Sequence, residues 1–192
     1  MHRCAWATTE LSISYHDQEW GIPLHNDQKL FELLILEGAQ AGLSWETILK
    51  KREHYRQVFD QFDPILIAKY DQGKVEQLLA DPGIIRNRRK ILSAIQNASV
   101  FLKNQKDYGS FDIYIWNFLK GIPINNQFSL LSPLPVKTEI SEIISKDLRK
   151  RGMNFIGPTI IYAYMQAAGL VNDHMIDCYR YTQIIEINKE KK

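Results

Sequence analysis

Residues 30–45 read LFELLILEGAQAGLSW, and the rest of the chain is interpreted around this segment. Apolar residues at 31 and 33–36 cover nearly every face of a helix, so the pattern predicts a buried helix over 28–41. Glu37 is the exception, because a charge inside a core must be paired, hydrogen-bonded or protonated. Such carboxylates concentrate at sites that bind or react, although a structural ion pair would also account for this one.

The residues that follow Glu37 favour a binding site. Trp45 adds a large aromatic ring within nine residues of the carboxylate. Between them, small residues leave room for a ligand to approach the helix backbone: Gly38, Ala39, Ala41 and Gly42. A carboxylate, a thinly covered helix and an aromatic ring together predict a pocket for a flat, polar-edged ligand such as a nucleobase. The alternative is a buried helix with Glu37 in an ion pair and Trp45 in the core.

Length and composition indicate one compact globular domain over residues 1–192. Hydrophobic residues make up 45% of the chain and charged residues 24%, as in ordinary soluble proteins. The net charge of only +2 means that any nucleic-acid role must depend on local clusters of charge. We find neither a signal-like apolar run nor a stretch long enough to cross a membrane, so we expect a cytoplasmic monomer without a membrane partner.

Periodicity predicts a mostly helical chain with almost no strand signal. Residues 1–25 are interpreted as a loop and a short helix, and 121–135 as a loop. Further helices are predicted at about 45–59, 65–70, 75–79, 86–102, 108–119 and 139–151, with a last long helix opening at Gly157-Pro158 and ending near Gly169. The fold class is therefore all-α.

Two Cys/His pairs lie near opposite ends of the sequence. His174 and Cys178 are four residues apart and would share one face of a helix, and Cys4 and His16 form the second pair. Together they supply the ligands of a tetrahedral Cys2His2 zinc site, although the four residues could also coincide by chance. Four protein ligands leave no open position for water, so the site is expected to be structural and to join the two ends of the chain, with a catalytic metal as the alternative.

Residues 78–91 predict two helices joined by a tight turn at Asp81-Pro82-Gly83. A helix N-terminus attracts anions, and a basic cluster follows the turn: Arg86, Arg88, Arg89 and Lys90. We predict phosphate contact here. A similar cluster at 146–151 is interpreted as a solvated helix face.

Four segments together resemble one known family: RCAW at 3–6, YHDQEWG at 15–21, LEGAQAGLSW at 36–45 and GLVNDH at 169–174. The chain is similar to bacterial, constitutive-type DNA-3-methyladenine glycosylase I almost up to Cys178. This resemblance implies an all-helical member of the helix-hairpin-helix glycosylases with a structural zinc. The matching metal ligands are Cys4, His16, His174 and Cys178, and the base pocket is lined by Tyr15, Glu37 and Trp45 with Trp6 and Trp20 nearby.

The resemblance also implies an enzyme that flips 3-methyladenine out of alkylated double-stranded DNA and excises it by hydrolysis. Free 3-methyladenine and an abasic site would be the products, without a lyase step. Glu37 is the candidate catalytic residue, and two lobes are expected, a central one at about 50–135 and a zinc-containing one from 1–49 and 136–180. Expected DNA contacts are Gln40, Leu43 and Gly83 together with the basic cluster.

Several questions stay open from the sequence. Leu43 is predicted to be a wedge that replaces the extruded nucleotide, and buried core is the alternative. Asp107 and Asp112 are the nearest candidates for the catalytic aspartate of other helix-hairpin-helix glycosylases, although the resemblance implies that none is used. Ser12, Gly157-Pro158 and the tail after Tyr179 depart from the family pattern. The rival functions are a metal-dependent hydrolase and a non-enzymatic module that binds damaged DNA.

Overall fold

The computed structural model describes residues 2–129 and 134–190. Within those residues the chain is mostly helical, which confirms the predicted fold class. The helices are α1 (Glu10–Gln18), α2 (Asp27–Gln40), α3 (Trp45–Val58), α4 (Pro64–Ile67), α5 (Gln72–Ala80), α6 (Arg88–Tyr108), α7 (Phe111–Asn117), α8 (Glu139–Lys150), α9 (Pro158–Ala167) and α10 (Tyr179–Glu190), with a short 3₁₀ turn at Asp60–Phe62. Two strands of two residues, β1 (Ile124–Asn125) and β2 (Val171–Asn172), pair in parallel, Ile124 opposite Val171.

Most helices begin at a polar residue whose side chain accepts a hydrogen bond from an N–H of the first turn, which satisfies a donor that the helix itself leaves free. Helix α9 has no such cap and begins instead with Pro158, which lacks an N–H of its own and whose fixed φ suits the first turn. This confirms the predicted start of that helix. The capping residues are Thr9, Asn26, Ser44, Asp63, Asp71, Asn87, Ser110 and Thr138.

Helix α2 lies at the centre of the molecule. Every residue from 30 to 39 is buried, and the helix packs against α3, α6, α7 and α9. The predicted buried helix is confirmed. The expected open patch at Gly38 is wrong, because a Cβ there would lie 3.4 Å from both Cβ and O of Phe155. Gly38 is small so that the chain around Phe155 can pack on α2, not so that a ligand can approach.

The segment before α2 packs directly on the segment after α9. Gly21 N–H donates to Gln166 O at 3.0 Å, and Leu24 N–H donates to Ala168 O at 3.1 Å. Gly169 has φ +67°, and a Cβ there would lie 2.3 Å from the carbonyl carbon of Ile22, so glycine is required on both counts. This contact brings residues near position 20 beside residues near position 170.

Several helix ends differ from the predictions. Helix α6 begins at Arg88 rather than 86, because Asn87 caps it, and it continues six residues past 102 to Tyr108. Gly109 then ends α6 and Ser110 caps α7, which is shorter than the predicted 108–119. Helix α4 ends at Ile67 rather than 70, and α10 extends through the tail for which no helix was predicted. The described helices include none with both the length and the apolar character needed to cross a membrane.

Candidate functional site

A cavity of about 340 Å³ opens where α1, α2, α9 and the start of α3 meet the segment 173–175. Its volume lies in the range of about 300–1,000 Å³ that is common for small-molecule sites. The five residues predicted to contact a base line this one cavity together with Gln40, although they come from four separate parts of the sequence. They are Trp6, Tyr15, Trp20, Glu37 and Trp45.

Glu37 faces the cavity with only 4% of its surface exposed. Throughout residues 2–129 and 134–190, no donor forms a hydrogen bond or ion pair with its carboxylate. Burial raises the pKa of the Glu37 carboxyl from 4.5 to about 8. The paired glutamate of α2 is instead Glu32, which accepts from Arg52 Nε at 2.6 Å and from Arg56 Nη2 at 2.8 Å. The structure therefore does not support the alternative in which Glu37 belongs to a structural ion pair.

Aromatic rings form the remaining walls. The Tyr15 and Trp45 ring centroids are 5.5 Å apart at 49°, and those of Trp6 and Trp20 are 5.0 Å apart at 76°. Burial, and then the nearby charge of Glu37, raise the pKa of the Tyr15 phenol well above its ordinary value, so the phenol stays neutral. The buried indole N–H of Trp45 lies near the Tyr15 phenol but forms no hydrogen bond of ordinary geometry within the described residues. The cavity thus offers flat apolar surfaces, one free donor and one free carboxylate.

Sequence reasoning missed a second carboxylate in the cavity wall. Asp173 is 2% exposed, and its oxygens accept hydrogen bonds from Tyr162 Oη at 2.6 Å, Gln166 Nε2 at 2.8 Å and Asn126 Nδ2 at 2.6 Å. Unlike Glu37, it is fully engaged by the protein. Its signal was the polar run Asn172-Asp173-His174 within an otherwise apolar stretch. Other lining residues that were not predicted for this cavity are Cys4, Leu134, Ala163, Gln166 and Met175.

The four predicted metal ligands come together beside this cavity. All four side chains are buried, and their ligand atoms lie within 4.8 Å of one another. Cys178 Sγ is 3.4 Å from His16 Nε2 and 3.7 Å from His174 Nδ1. Cys4 Sγ is also 3.7 Å from His174 Nδ1. Tetrahedral coordination with ordinary bond lengths places sulfur and nitrogen ligands about 3.5 Å apart, so this cluster could hold a metal ion.

The outer partners of the two histidines orient them toward the cluster. His16 Nδ1 lies 2.8 Å from Asp17 Oδ1, and His174 Nε2 lies 3.0 Å from the Trp20 carbonyl oxygen. In each ring the nitrogen that faces the cluster is therefore free to ligate, while the other donates its proton outward. The Arg3 guanidinium holds the pKa of Asp17 well below its usual range, which keeps that acceptor ionised.

The predicted turn at 81–83 joins α5 to α6 and is held by α3. Asp81 Oδ1 accepts the Gly83 N–H at 2.7 Å, and Asp81 Oδ2 lies 2.7 Å from His54 Nε2. A Cβ at Gly83 would lie 2.1 Å from Cδ2 of His54, so the imidazole occupies the space that any side chain would need. Lys51 Nζ donates to Pro82 O at 2.7 Å. Side chains of α3 thus hold the turn in place.

The basic cluster after the turn divides into two kinds of residue. Arg86 and Arg89 are exposed and have no ion-pair partner in the part of the chain that the structure describes. Arg88 is exposed and pairs with Glu76. Lys90 instead turns toward α2 and donates to Ala39 O and Ala41 O at 2.8 and 2.7 Å. The predicted phosphate contact therefore suits Arg86 and Arg89 best, and Lys90 least.

Leu43 lies in the loop that follows α2, where its carbonyl oxygen accepts a hydrogen bond from Gln40, a residue that lines the cavity. It is 38% exposed, so the buried-core alternative is wrong. Gly42 before it has φ +81°, as expected for the residue that follows a helix end. The two candidate aspartates lie elsewhere, since Asp107 pairs with Lys103 and Asp112 with His25. Ser12 completes the cap of α1 with Thr9.

Comparison with known proteins matches residues 6–181 to the methyladenine glycosylase family model. The DNA-3-methyladenine glycosylase 1 of Escherichia coli K12 is 48% identical over 182 residues, which cover 94% of this chain and 97% of that protein. A crystal structure of 3-methyladenine DNA glycosylase I, 49% identical, superposes with a TM-score of 0.90 over 93% of this chain and 98% of that one. A tyrosine-to-phenylalanine variant of such an enzyme, solved in complex with 3-methyladenine, is 36% identical and gives a TM-score of 0.90, covering 93% and 97% of the two chains.

Proposed function

The chain belongs to the methyladenine glycosylase family and is therefore a DNA glycosylase, and from this premise we propose that it excises 3-methyladenine from alkylated double-stranded DNA. The nucleotide is flipped out of the duplex into the cavity, and the bond between base and sugar is hydrolysed. The products are free 3-methyladenine and an abasic site. The enzyme acts as a monomer within the helix-hairpin-helix superfamily, with the α5–α6 turn as its hairpin.

One observation carries this proposal: Glu37 is a buried carboxylate without a partner, and it opens onto an aromatic cavity. Burial favours the neutral form of such a carboxyl in the free protein, and a cationic ligand would supply the partner that its charged form lacks. A methylated adenine in its cationic form would bring both a positive charge and a flat ring. Trp45 offers a face for that ring, and Glu37 offers an acceptor for the polar edge of the base.

Chemically, most of the activation resides in the substrate. Methylation at N3 makes the base cationic, which weakens its bond to the sugar before the enzyme acts. A cation–π contact contributes about 0.5–2 kcal/mol, and a good contact to a base edge contributes about 1–3 kcal/mol. These contributions are small beside the whole barrier to glycosidic cleavage. They suffice to favour the cationic base, whereas neutral adenine lacks the charge that both contacts recognise.

The cavity supports a hydrolytic reaction without a lyase step. A lyase step needs an amine nucleophile that forms a Schiff base with the sugar. Among the described residues that line the cavity, none is a lysine. Water is therefore the proposed nucleophile.

We further propose that the Cys4, His16, His174 and Cys178 cluster holds one structural zinc ion. Two thiolates and two imidazoles form the donor set that zinc prefers, and four protein ligands leave no position for a reacting water. The ion would join the segment that carries Trp6 and Trp20 to the segment that carries Asp173. It would thus stabilise the wall of the cavity without taking part in the reaction.

Leu43→Ala tests the proposed wedge. We expect excision from duplex DNA to slow by about fivefold to thirtyfold, because truncation removes about 1–2 kcal/mol of apolar contact in the gap that the flipped nucleotide leaves. The rate on single-stranded DNA and the melting temperature should stay near those of the parent, since Leu43 is exposed. Leu66→Ala, at a similarly exposed leucine on α4, is the matched control and should change neither rate. Equal losses on both forms of DNA would rule out a wedge.

Incubation of methylated duplex DNA with the protein, followed by chromatography of the released bases, tests the proposed function. We expect 3-methyladenine in the free fraction and unmodified adenine retained in the DNA. A protein that binds alkylated DNA without releasing base would be a recognition module instead. A prompt loss of turnover on adding a chelator, with the fold intact, would favour a metal-dependent hydrolase.

A further inference from the structure

Lys90 is the third residue of α6. This helix follows the α5–α6 turn, the proposed hairpin, which we expect to contact the DNA backbone. It is half-buried, and its ammonium group donates to Ala39 O at 2.8 Å and to Ala41 O at 2.7 Å. These two contacts cross between helices that are about fifty positions apart in the sequence. The Lys90 ammonium group, which we predicted to contact phosphate, is thus already hydrogen-bonded inside the protein.

The acceptors of Lys90 are at the C-terminal end of α2. The last carbonyl groups of a helix have no partner within it, and a cation placed there is also favoured by the helix dipole. Helix α2 has no basic residue in its own last turn. Lys90 therefore supplies from α6 the cation that α2 lacks.

The same end of α2 carries the loop with Leu43. Within this loop, Leu43 N–H donates to Gln40 O at 2.7 Å and Gln40 Nε2 donates to Leu43 O at 2.5 Å. Gly42 has φ +81°, and no atom lies within 4 Å of a Cβ built there, so the outer side of the loop is open. Among the described residues, the Lys90 ammonium is the one side-chain cation that ties this helix end to α6.

From these contacts we infer that Lys90 is a positioning residue, which holds the Leu43 loop in a fixed place relative to the DNA-gripping turn. The inference rests on the proposed function. When DNA is bound at the turn, Leu43 would then lie at the position in the duplex that the extruded nucleotide leaves empty. Without the ammonium group, α6 would still bind the DNA backbone, but the wedge would no longer be held in register with it.

Lys90→Met tests this inference, because it keeps the apolar stem and removes the ammonium group. We expect the single-turnover rate at saturating enzyme on methylated duplex DNA to fall by up to about thirtyfold, the largest loss expected for Leu43→Ala, because Lys90 acts through Leu43. The rate on methylated single-stranded DNA, the affinity for undamaged duplex and the binding of free 3-methyladenine should be retained. Lys90→Arg keeps a cation that can donate to both carbonyls and should restore much of the duplex rate.

The salt dependence of duplex binding separates positioning from direct phosphate contact. If Lys90 contacted phosphate, Lys90→Met would weaken binding to every duplex and reduce the slope of log K against log salt by about 1. We expect that reduction for Arg89→Met, the exposed neighbour, and not for Lys90→Met. A reduced slope for Lys90→Met would overturn the inference, as would a loss of free 3-methyladenine binding, which would show that Lys90 supports the pocket itself. If the parent protein released no base in these assays, the proposed function would fail instead.

Discussion

A Glu37→Gln variant is expected to release 3-methyladenine from methylated duplex DNA about tenfold to a hundredfold more slowly than the parent. The substitution keeps the shape of the side chain and removes its charge. A hydrogen bond that involves a charged group contributes about 1.5–3 kcal/mol, which corresponds to this range. The measurement is the single-turnover rate at saturating enzyme, which reports the chemical step rather than DNA affinity.

The same variant is expected to be more stable than the parent, and increasingly so as the pH rises. The pKa of Glu37 is raised by burial from 4.5 to about 8, so folding favours the neutral carboxyl. The parent therefore keeps its full stability below about pH 4.5 and loses part of it as the pH rises from 4.5 to 8, by an amount whose upper limit is on the order of 5 kcal/mol. Glutamine does not titrate and escapes this loss. Urea unfolding of both proteins at pH 6 and pH 9 measures the difference, and any metal contribution is common to both.

Glu32→Gln is the matched control on the same helix. Glu32 is buried to a similar degree but is paired with Arg52 and Arg56, which would keep only their second partners, Glu19 and Glu53. Loss of the charge-assisted hydrogen bonds to Glu32 is expected to cost this variant about 1.5–3 kcal/mol of stability. The two glutamines should thus change stability in opposite directions. If Glu37→Gln excised 3-methyladenine at the parental rate and melted much earlier, Glu37 would be structural and the pocket would be misassigned.

Cys178→Ser is expected to lose the bound zinc and much of the stability of the fold. Apparent zinc-binding free energies reach about 10–16 kcal/mol in small zinc domains. Loss of even a third of that would lower the melting temperature of a chain of this size by on the order of 10 °C. Elemental analysis of the purified proteins and thermal melting test both expectations, with about one zinc per chain in the parent.

His25→Gln is a suitable control for the metal prediction, because His25 pairs with Asp112 outside the cluster. It should retain the zinc. If Cys178→Ser lost the metal yet melted like the parent, the metal would not join the two segments. If its activity disappeared while fold and metal persisted, the cluster would be catalytic.

Local signals account for much of what the sequence could predict. Asn26 and Ser44 cap α2 and α3 as short polar residues do in most proteins, and the apolar run from 33 to 36 predicted a buried helix. The Cys/His pairs also predicted a metal site, because two cysteines and two histidines are a typical set of zinc ligands. The weakest signals were at α10, whose mixed composition lacks a clear apolar face.

Other features depend on which distant residues become neighbours, and no local pattern reports that. Gly38 looked like an opening for a ligand, but Phe155 fills the space. Lys90 looked like a phosphate contact, but two carbonyls from α2 engage it. Asp173 gave no clear sign of lining the pocket, because its position depends on hydrogen bonds from two distant segments, Tyr162 and Gln166 on α9 and Asn126 after β1. In each case the sequence indicated that the residue was important but not which distant residue it contacts.

The contact between residues near 20 and residues near 170 also affects when the pocket can form during protein synthesis. His16 and Cys178 are separated by 162 residues, so the ribosome completes the second half of the cluster long after the first. At roughly 5–20 residues per second, the delay is on the order of ten seconds. Throughout that interval Trp20 lacks the ring of His174 that it packs against, and the Gly21 N–H lacks its acceptor, Gln166 O. We therefore expect a nascent chain to complete its pocket only after residues 163–175, which supply part of the cavity wall, have emerged.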